Sequence, residues 1–277
     1  WIDTFPVKFG YPFLIPLNIS QRLVSWCIIF SLLKNNQNFK KMLPIFLASI
    51  SAQSEFLFKN LSKDGVTNNF LLSEIASLRF VAKTFPNLTN SKDYLTETEE
   101  IARDEVSKQI LSDGTSFEAS SGYYRFVVET FVLMLSLEKD ESLFKNFLKE
   151  TLLKISEPIK YLSNPECKLP HIGDLSMERL FWLDTEEDIL DCKDLFNLIA
   201  SICNHGDFKT SKDYSSIFWF FSIQGIESYK KLNADGPLRK SILYPHGGFA
   251  VLNNGKFKEL SYLLPKKIKK IYTIRFD

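Results

Sequence analysis

Glycine and proline are scarce in the 277-residue chain, 11 of each, which excludes collagen-like and low-complexity architectures. The four cysteines, Cys27, Cys167, Cys192 and Cys203, contain no Cys-x-x-Cys pair and are too sparse for a disulfide scaffold. They leave the redox compartment open. Charge of one sign is also lacking: 34 Lys and Arg stand against 33 Asp and Glu, a net of +1. No global field therefore recruits nucleic acid or an anionic membrane, and an anionic partner needs a local site. Residues 23–33 form an apolar run, but Arg22 and Lys34 flank it, so it falls short of the roughly 20 residues that span a bilayer. No membrane span is expected. There is no Gly-x-Ser-x-Gly elbow and no glycine-rich phosphate loop, so neither Ser-His-Asp hydrolysis nor phosphate cradling has its motif.

What is present is a core. Hydrophobic residues make up 45% of the chain and aromatics 14%, including 25 Phe. That is enough apolar surface to offset the entropy of ordering a large domain or two ordinary ones. The chain opens at Trp1 without a signal-peptide pattern and stops at Asp277 just inside a strand region, so a fragment at both ends is expected.

The dominant period is helical from about 18 to 231. Leu23, Trp26, Cys27, Phe30 and Leu33 mark a first helix. A second follows Asn35-Asn36-Gln37, with Pro44 in its first turns, and Lys63-Asp64-Gly65 ends it. The third starts at Thr67-Asn68, both good caps, and Pro86 stops it. A polar fourth runs over 92–111 and closes at Asp113-Gly114. The fifth begins at Ser120-Ser121 and the sixth covers 140–159. After a loop over 164–174, a short seventh is expected at 177–182, an eighth at 189–204 and a ninth at 212–231. Past Gly236-Pro237 the period becomes two. Residues 248–252 followed by Asn253-Asn254-Gly255 read as a hairpin, and the Lys266-Lys267 and Lys269-Lys270 pairs as a solvated strand edge. The expected class is thus mainly all-α, antiparallel helix pairs in a bundle, solenoid or α/α toroid over 1–240, then the beginning of a β domain over 241–277. That last segment is expected to be extended and incompletely paired.

Helices that alternate in direction bring the starts of the odd-numbered ones to one end. Asn18 and Arg22, Asn68 and Asn69, Tyr123 and Tyr124, His171 and Asp174, and His205 would then share a mouth whose helix dipoles favour an anion. Ordinary roles are available to most of them. Asn68 is a good N-cap, Tyr123 could pack on Phe126 and Val127, and Arg22 could pair with Glu55 or Glu74. Glu118 could be a loop acceptor, and His171, His205 and His246 read as loop or strand histidines with no zinc spacing.

Five stretches resemble, in order, the helical domain of the heparinase II/III and alginate lyase superfamily of polysaccharide lyases. They are Asn18-Ile-Ser-Gln-Arg22-Leu-Val-Ser-Trp26, Asn68-Asn69-Phe70-Leu71-Leu72-Ser73-Glu74, Asp113-Gly114-x-x-x-Glu118-x-Ser120-x-x-Tyr123, Pro170-His171-Ile172-Gly173-Asp174 and Gly247-Gly248-Phe249-Ala250-Val251-Leu252. The resemblance implies an incomplete (α/α) toroid followed by a β-sandwich, a periplasmic or secreted location, and β-elimination on an acidic, uronate-bearing polysaccharide. It assigns Asn69 to neutralise the uronate carboxylate and Tyr123 to act as base or acid. Asn68, Arg22, Asn18, Glu118, Tyr124, His171 and Asp174 are implied in substrate binding. It requires no cofactor in the segment present, with room for a structural divalent metal in the β-sandwich beyond. Two positions depart from the pattern: Phe70 and Tyr124 stand where the family often has His, and a further family His lies in the β-sandwich. A protein that binds acidic glycan without cleaving it is therefore the alternative, and a hydrolase using Glu118 and Asp174 a third reading.

Overall fold

The computed structural model describes residues 2–175, 179–181, 188–210, 212–234, 241–253, 258–262 and 272–276. Two compact units emerge, 1–106 with 179–181 and 107–178 with 182–277, and the division falls inside one helix.

In the first unit, α1 (Pro16–Leu33) starts at a proline, whose fixed φ suits the first helical position. Asn36 caps α2 (Gln37–Lys59) by accepting from the N–H groups of Asn38 and Phe39 at 2.9 and 3.2 Å, and Pro44 lies inside that helix. Helix α3 (Asn69–Thr84) is buried nearly all round and ends before Phe85-Pro86, while α4 (Ser91–Gln109) is the polar helix. Leu23, Cys27, Ile50, Leu57, Leu78, Val81 and Tyr94 form the core. Aromatic pairs extend it: Trp26 stacks on Phe46 with centroids 5.2 Å apart, and Phe58 meets Tyr94 at 4.9 Å. The lack of a spanning run needs correction, because α1 is by length and composition apolar enough to cross a bilayer. Here its Leu17, Ile19, Leu23, Val24 and Cys27 are buried within the unit.

The second unit is built on α5 (Ser121–Ser136), α6 (Leu143–Leu162), α7 (Lys193–Cys203) and α8 (Ser215–Lys231). Helix α5 is buried along almost its whole length. Asn204 in the left-handed region closes α7, and Ser222, at φ 56°, breaks α8. The described residues hold eight α-helices where nine were expected. Of the expected seventh, 177–182, residues 177, 178 and 182 lie outside the described residues, and 179–181 are not helical. The eighth expected helix starts later than 189, because Asp191 instead bridges Lys168.

Strands β1 (Ile242–Tyr244), β2 (Phe249–Asn253), β3 (Lys258–Tyr262) and β4 (Tyr272–Phe276) form an antiparallel meander in chain order. The expected hairpin is the β2–β3 pair, in register from Phe249–Tyr262 to Asn253–Lys258. Consecutive hairpins give each strand a neighbour locally, and β1 and β4 each pair on one side only. The lysine pairs at 266–270 lie outside the described residues.

Gly114 is a tight backbone position with a positive φ. Its φ is +85°, and a Cβ there would stand 2.4 Å from the carbonyl oxygen of Lys154, which cannot rotate away. Gly65, at φ +74°, has nothing within 4 Å of the same position. Gly65→Ala is expected to cost only the backbone strain, on the order of 1–2 kcal/mol, and Gly114→Ala clearly more. Equal losses of stability on denaturant unfolding would show that the turn yields.

Candidate functional site

The residues singled out from the sequence divide between the units: Asn18, Arg22, Asn68 and Asn69 belong to the first, and Glu118, Tyr123, Tyr124, His171 and Asp174 to the second.

In the first unit Asn68 does act as the N-cap of α3, its side chain accepting from the Phe70 N–H at 3.0 Å. Asn69, the first residue of the helix, is buried, and Asn18 is half-buried in the first turn of α1. Arg22 pairs with neither Glu55 nor Glu74. Its Nε donates to Gln53 Oε1 at 2.6 Å and its Nη1 to the Pro12 carbonyl at 3.3 Å, with the guanidinium 5.0 Å from the Phe13 ring centroid. Burial lowers its pKa to about 10, so it stays cationic at neutral pH. Glu55 is taken by Lys59 at 2.5 Å, and Glu74 accepts from the Ser62 N–H and hydroxyl at 2.8 and 2.6 Å.

In the second unit two of the sequence motifs meet at the start of α5. Ser120 caps the helix, accepting from the Tyr123 N–H at 3.2 Å, and donates its own proton to the Asp174 carbonyl at 2.5 Å. Ser121 donates through its N–H to Ile172 O at 2.9 Å and through its hydroxyl to Pro170 O at 2.6 Å. Gly173 is required for this close seat, because a Cβ there would lie 2.8 Å from Ala119 O. Loop 170–174 is thereby laid across the helix N-terminus, where the dipole is positive. His171 and Asp174 are exposed on it, and Tyr123 and Glu118 are half-buried beside it in the chain.

Tyr124 is packed into the unit's interior. It is buried, and its hydroxyl donates toward the carbonyls of Ile155, at 2.7 Å, and Gly114. Desolvation, followed by the nearby Tyr244, Asp113 and Glu157, pushes its pKa well above the phenol range. The position after Tyr123 therefore belongs to the core.

Sequence reasoning missed how Asp113 is used. Its Oδ2 accepts from the N–H groups of His246 and Gly247 at 2.8 and 3.0 Å, and its Oδ1 from the Thr115 hydroxyl at 2.6 Å. The Asp113-Gly114 turn thus holds the Gly247-Gly248 turn that joins β1 to β2, which is why the strands belong to this unit. Partial burial raises the Asp113 pKa, but the bonds from Thr115, Gly247 and His246 outweigh it and the net shift is downward. A depressed carboxylate contributes stability that is complete above its unfolded pKa of about 3.9 and is lost as pH falls through the folded value. Acid should therefore loosen the β1–β2 turn, seen as lower amide-exchange protection factors at His246 and Gly247. Asp113→Ala should show that loss of protection already at neutral pH. Unchanged exchange in the variant would contradict the assignment.

Also missed is a buried ion pair, Arg125 Nη1 to Glu129 Oε2 at 2.6 Å, with Arg125 Nε donating to the Asp191 carbonyl at 3.1 Å. Two opposite charges four residues apart in the apolar run from Phe126 to Met134 were the available signal. Among the described residues no three His, Cys, Asp or Glu side chains gather with metal-ligand spacing.

Residues 13–184 match the family model described as "Heparinase II/III N-terminus". The chain belongs to the heparinase II/III family. Heparin-sulfate lyase of Pedobacter heparinus is 28% identical over 163 residues, 57% of this chain and 24% of that protein. Heparin-sulfate lyase of Bacteroides thetaiotaomicron is 27% identical over 54% of this chain and 22% of its own length. The chain thus spans about a quarter of these curated relatives. A crystal structure of heparinase III matches 95% of the chain and 39% of its own length, with a TM-score of 0.67 at 19% identity. The fold class is the expected one, that of the heparinase III helical toroid followed by strands. Membership places the chain in a polysaccharide lyase family.

Proposed function

We propose that this chain is the helical part of a lyase that cleaves a uronate-bearing acidic polysaccharide by β-elimination. The observation that carries the reading is the family match over 13–184, which takes in the Asn68-Asn69 pair, the Tyr123 cap and the 170–174 loop together. The names of the relatives support a sulfated, heparan-type glycan as the substrate class.

The chemistry sets the demands. The C5 proton of a uronate is weakly acidic because the adjacent carboxylate is already negative, so that charge must be neutralised before a base can act. Asn69 supplies an uncharged amide donor for this. Arg22, cationic at neutral pH, adds to the positive field. Tyr123, in the first turn of α5, takes the C5 proton or protonates the leaving glycosidic oxygen. Loop 170–174 contributes His171 and Asp174 as polar contacts for the chain of sugars.

A second reading, binding of acidic glycan without cleavage, is favoured by Phe70, which cannot hold or move a proton. The burial of Tyr124 weakens the other argument for it. The two are separated by incubating the full-length protein with heparan-type glycan and with alginate. Elimination leaves a C4–C5 double bond conjugated with the carboxylate, so ultraviolet absorbance should rise with time. Binding with no rise in absorbance would refute the lyase reading and leave the second.

A further inference from the structure

Cys167 and Cys192 are 25 residues apart in sequence, yet their backbones lie opposite each other beside a short antiparallel bridge. The bridge pairs Lys168 with Asp191 and is flanked by two backbone bonds, Leu169 N–H to Leu190 O at 2.9 Å and Cys192 N–H to Cys167 O at 2.9 Å. That register sets the two cysteines opposite one another, with Cα atoms on the order of 5.5 Å apart. Disulfides take Cα separations of roughly 4.4–6.8 Å.

The local chain is held for this. Asn164 Oδ1 accepts from the N–H groups of Glu166 and Lys168 at 3.0 and 2.8 Å, making a tight turn in which Cys167 adopts φ 69°, a conformation few non-glycine residues take. Cys192 is wholly buried as the residue preceding α7, while Cys167 is half-buried. One of the two residues is thus partly open to solvent and the other is not. Cys27 and Cys203 are both buried, with thiol pKa values pushed up to about 12, and have no such arrangement.

We propose that Cys167 and Cys192 are a redox pair that closes to a disulfide when the protein meets a small-molecule or protein disulfide. The Cys167 thiolate attacks one sulfur of the oxidant, forming a mixed disulfide and expelling one thiolate. The Cys192 sulfur then attacks Cys167, its proton passing to the second departing thiolate. Two thiols are oxidised to one disulfide and the oxidant is reduced to two thiols. The bond fastens the 164–168 turn to the start of α7. Loop 170–174, seated on α5, is then restrained at the end nearer the bond.

The test uses the full-length protein, treated with oxidised glutathione or with dithiothreitol, then alkylated and digested without reductant. Mass spectrometry of the oxidised sample should show the Cys167 and Cys192 peptides joined, lighter than their sum by two hydrogens. Dithiothreitol should restore both as alkylated peptides after unfolding. Alkylation of Cys167 in the native protein should slow at least tenfold on oxidation, and Cys167→Ser should remove the linked peptide. A stable glutathione adduct on Cys167 with Cys192 still a thiol would overturn the proposal. So would a Cys167 bond to any other cysteine, or alkylation indifferent to oxidant.

Discussion

Replacing Tyr123 by Phe in the full-length protein is expected to lower turnover by about 10²–10⁴-fold, the range lost when one positioned acid or base is removed. Only the ionisable hydroxyl goes, so the melting temperature should hardly move. Asn69→Ala should depress turnover as well, by roughly 10²–10³-fold if the amide acts as a charge-neutralising donor. Tyr124→Phe makes the informative contrast. It takes the donor away from the buried carbonyls of Gly114 and Ile155, which should cost about 1–3 kcal/mol of stability. Its rate per folded molecule should be nearly normal. Adjacent tyrosines thus answer different questions, one through the ultraviolet assay and the other through unfolding. If the two variants exchanged these phenotypes, the assignment of Tyr123 to chemistry and Tyr124 to the core would be wrong.

The second large effect concerns α5 itself. Arg125 and Glu129 are almost entirely shielded from water, with side-chain exposures of 4% and 1%. Removing one partner strands the other as an uncompensated buried charge, which costs about 3–5 kcal/mol. Arg125→Met should reach that range, because it also withdraws the donor to the Asp191 carbonyl and so loosens the turn preceding α7. Replacing both, Arg125→Met with Glu129→Leu, should recover most of the loss, since a well-packed apolar pair is often no less stable than a buried ion pair. Denaturant unfolding of the single and double variants checks this. A double variant as weak as the sum of the singles would mean that the charges act separately.

These two cases show what the sequence discloses. Local rules are strong where one residue settles a boundary: Asn36, Asn68 and Ser120 cap the helices that follow them, and Pro86 lies just past the end of α3. The same rules read the β2–β3 hairpin from its alternation. They do not reach interactions made across long stretches of chain. Asp113 looks like the end of a helix, and its grip on His246 and Gly247, more than a hundred residues away, is set by tertiary packing alone. The start of α7 slipped past 189 for a related reason, since the Lys168–Asp191 bridge competes with helix for those residues. Asn68 caps α3, as its residue type allows, and loop 170–174 approaches the Ser120–Tyr123 turn. The burial of Tyr124 was not visible, because a tyrosine at that spacing serves a cleft or a core equally well. Its fate depends on Gly114 and Ile155, which periodicity does not bring together.

The chemistry itself is tested most directly by cleaving a uronate polysaccharide with the full-length protein in ¹⁸O-labelled water and weighing the products. Elimination breaks the glycosidic bond without adding water, so the fragments should sum to the parent mass, carry an unsaturated uronate at the new non-reducing end, and contain no ¹⁸O from the cleavage. Saturated ends with one labelled oxygen per cut would contradict the account and point instead to hydrolysis by carboxylates such as Glu118 and Asp174.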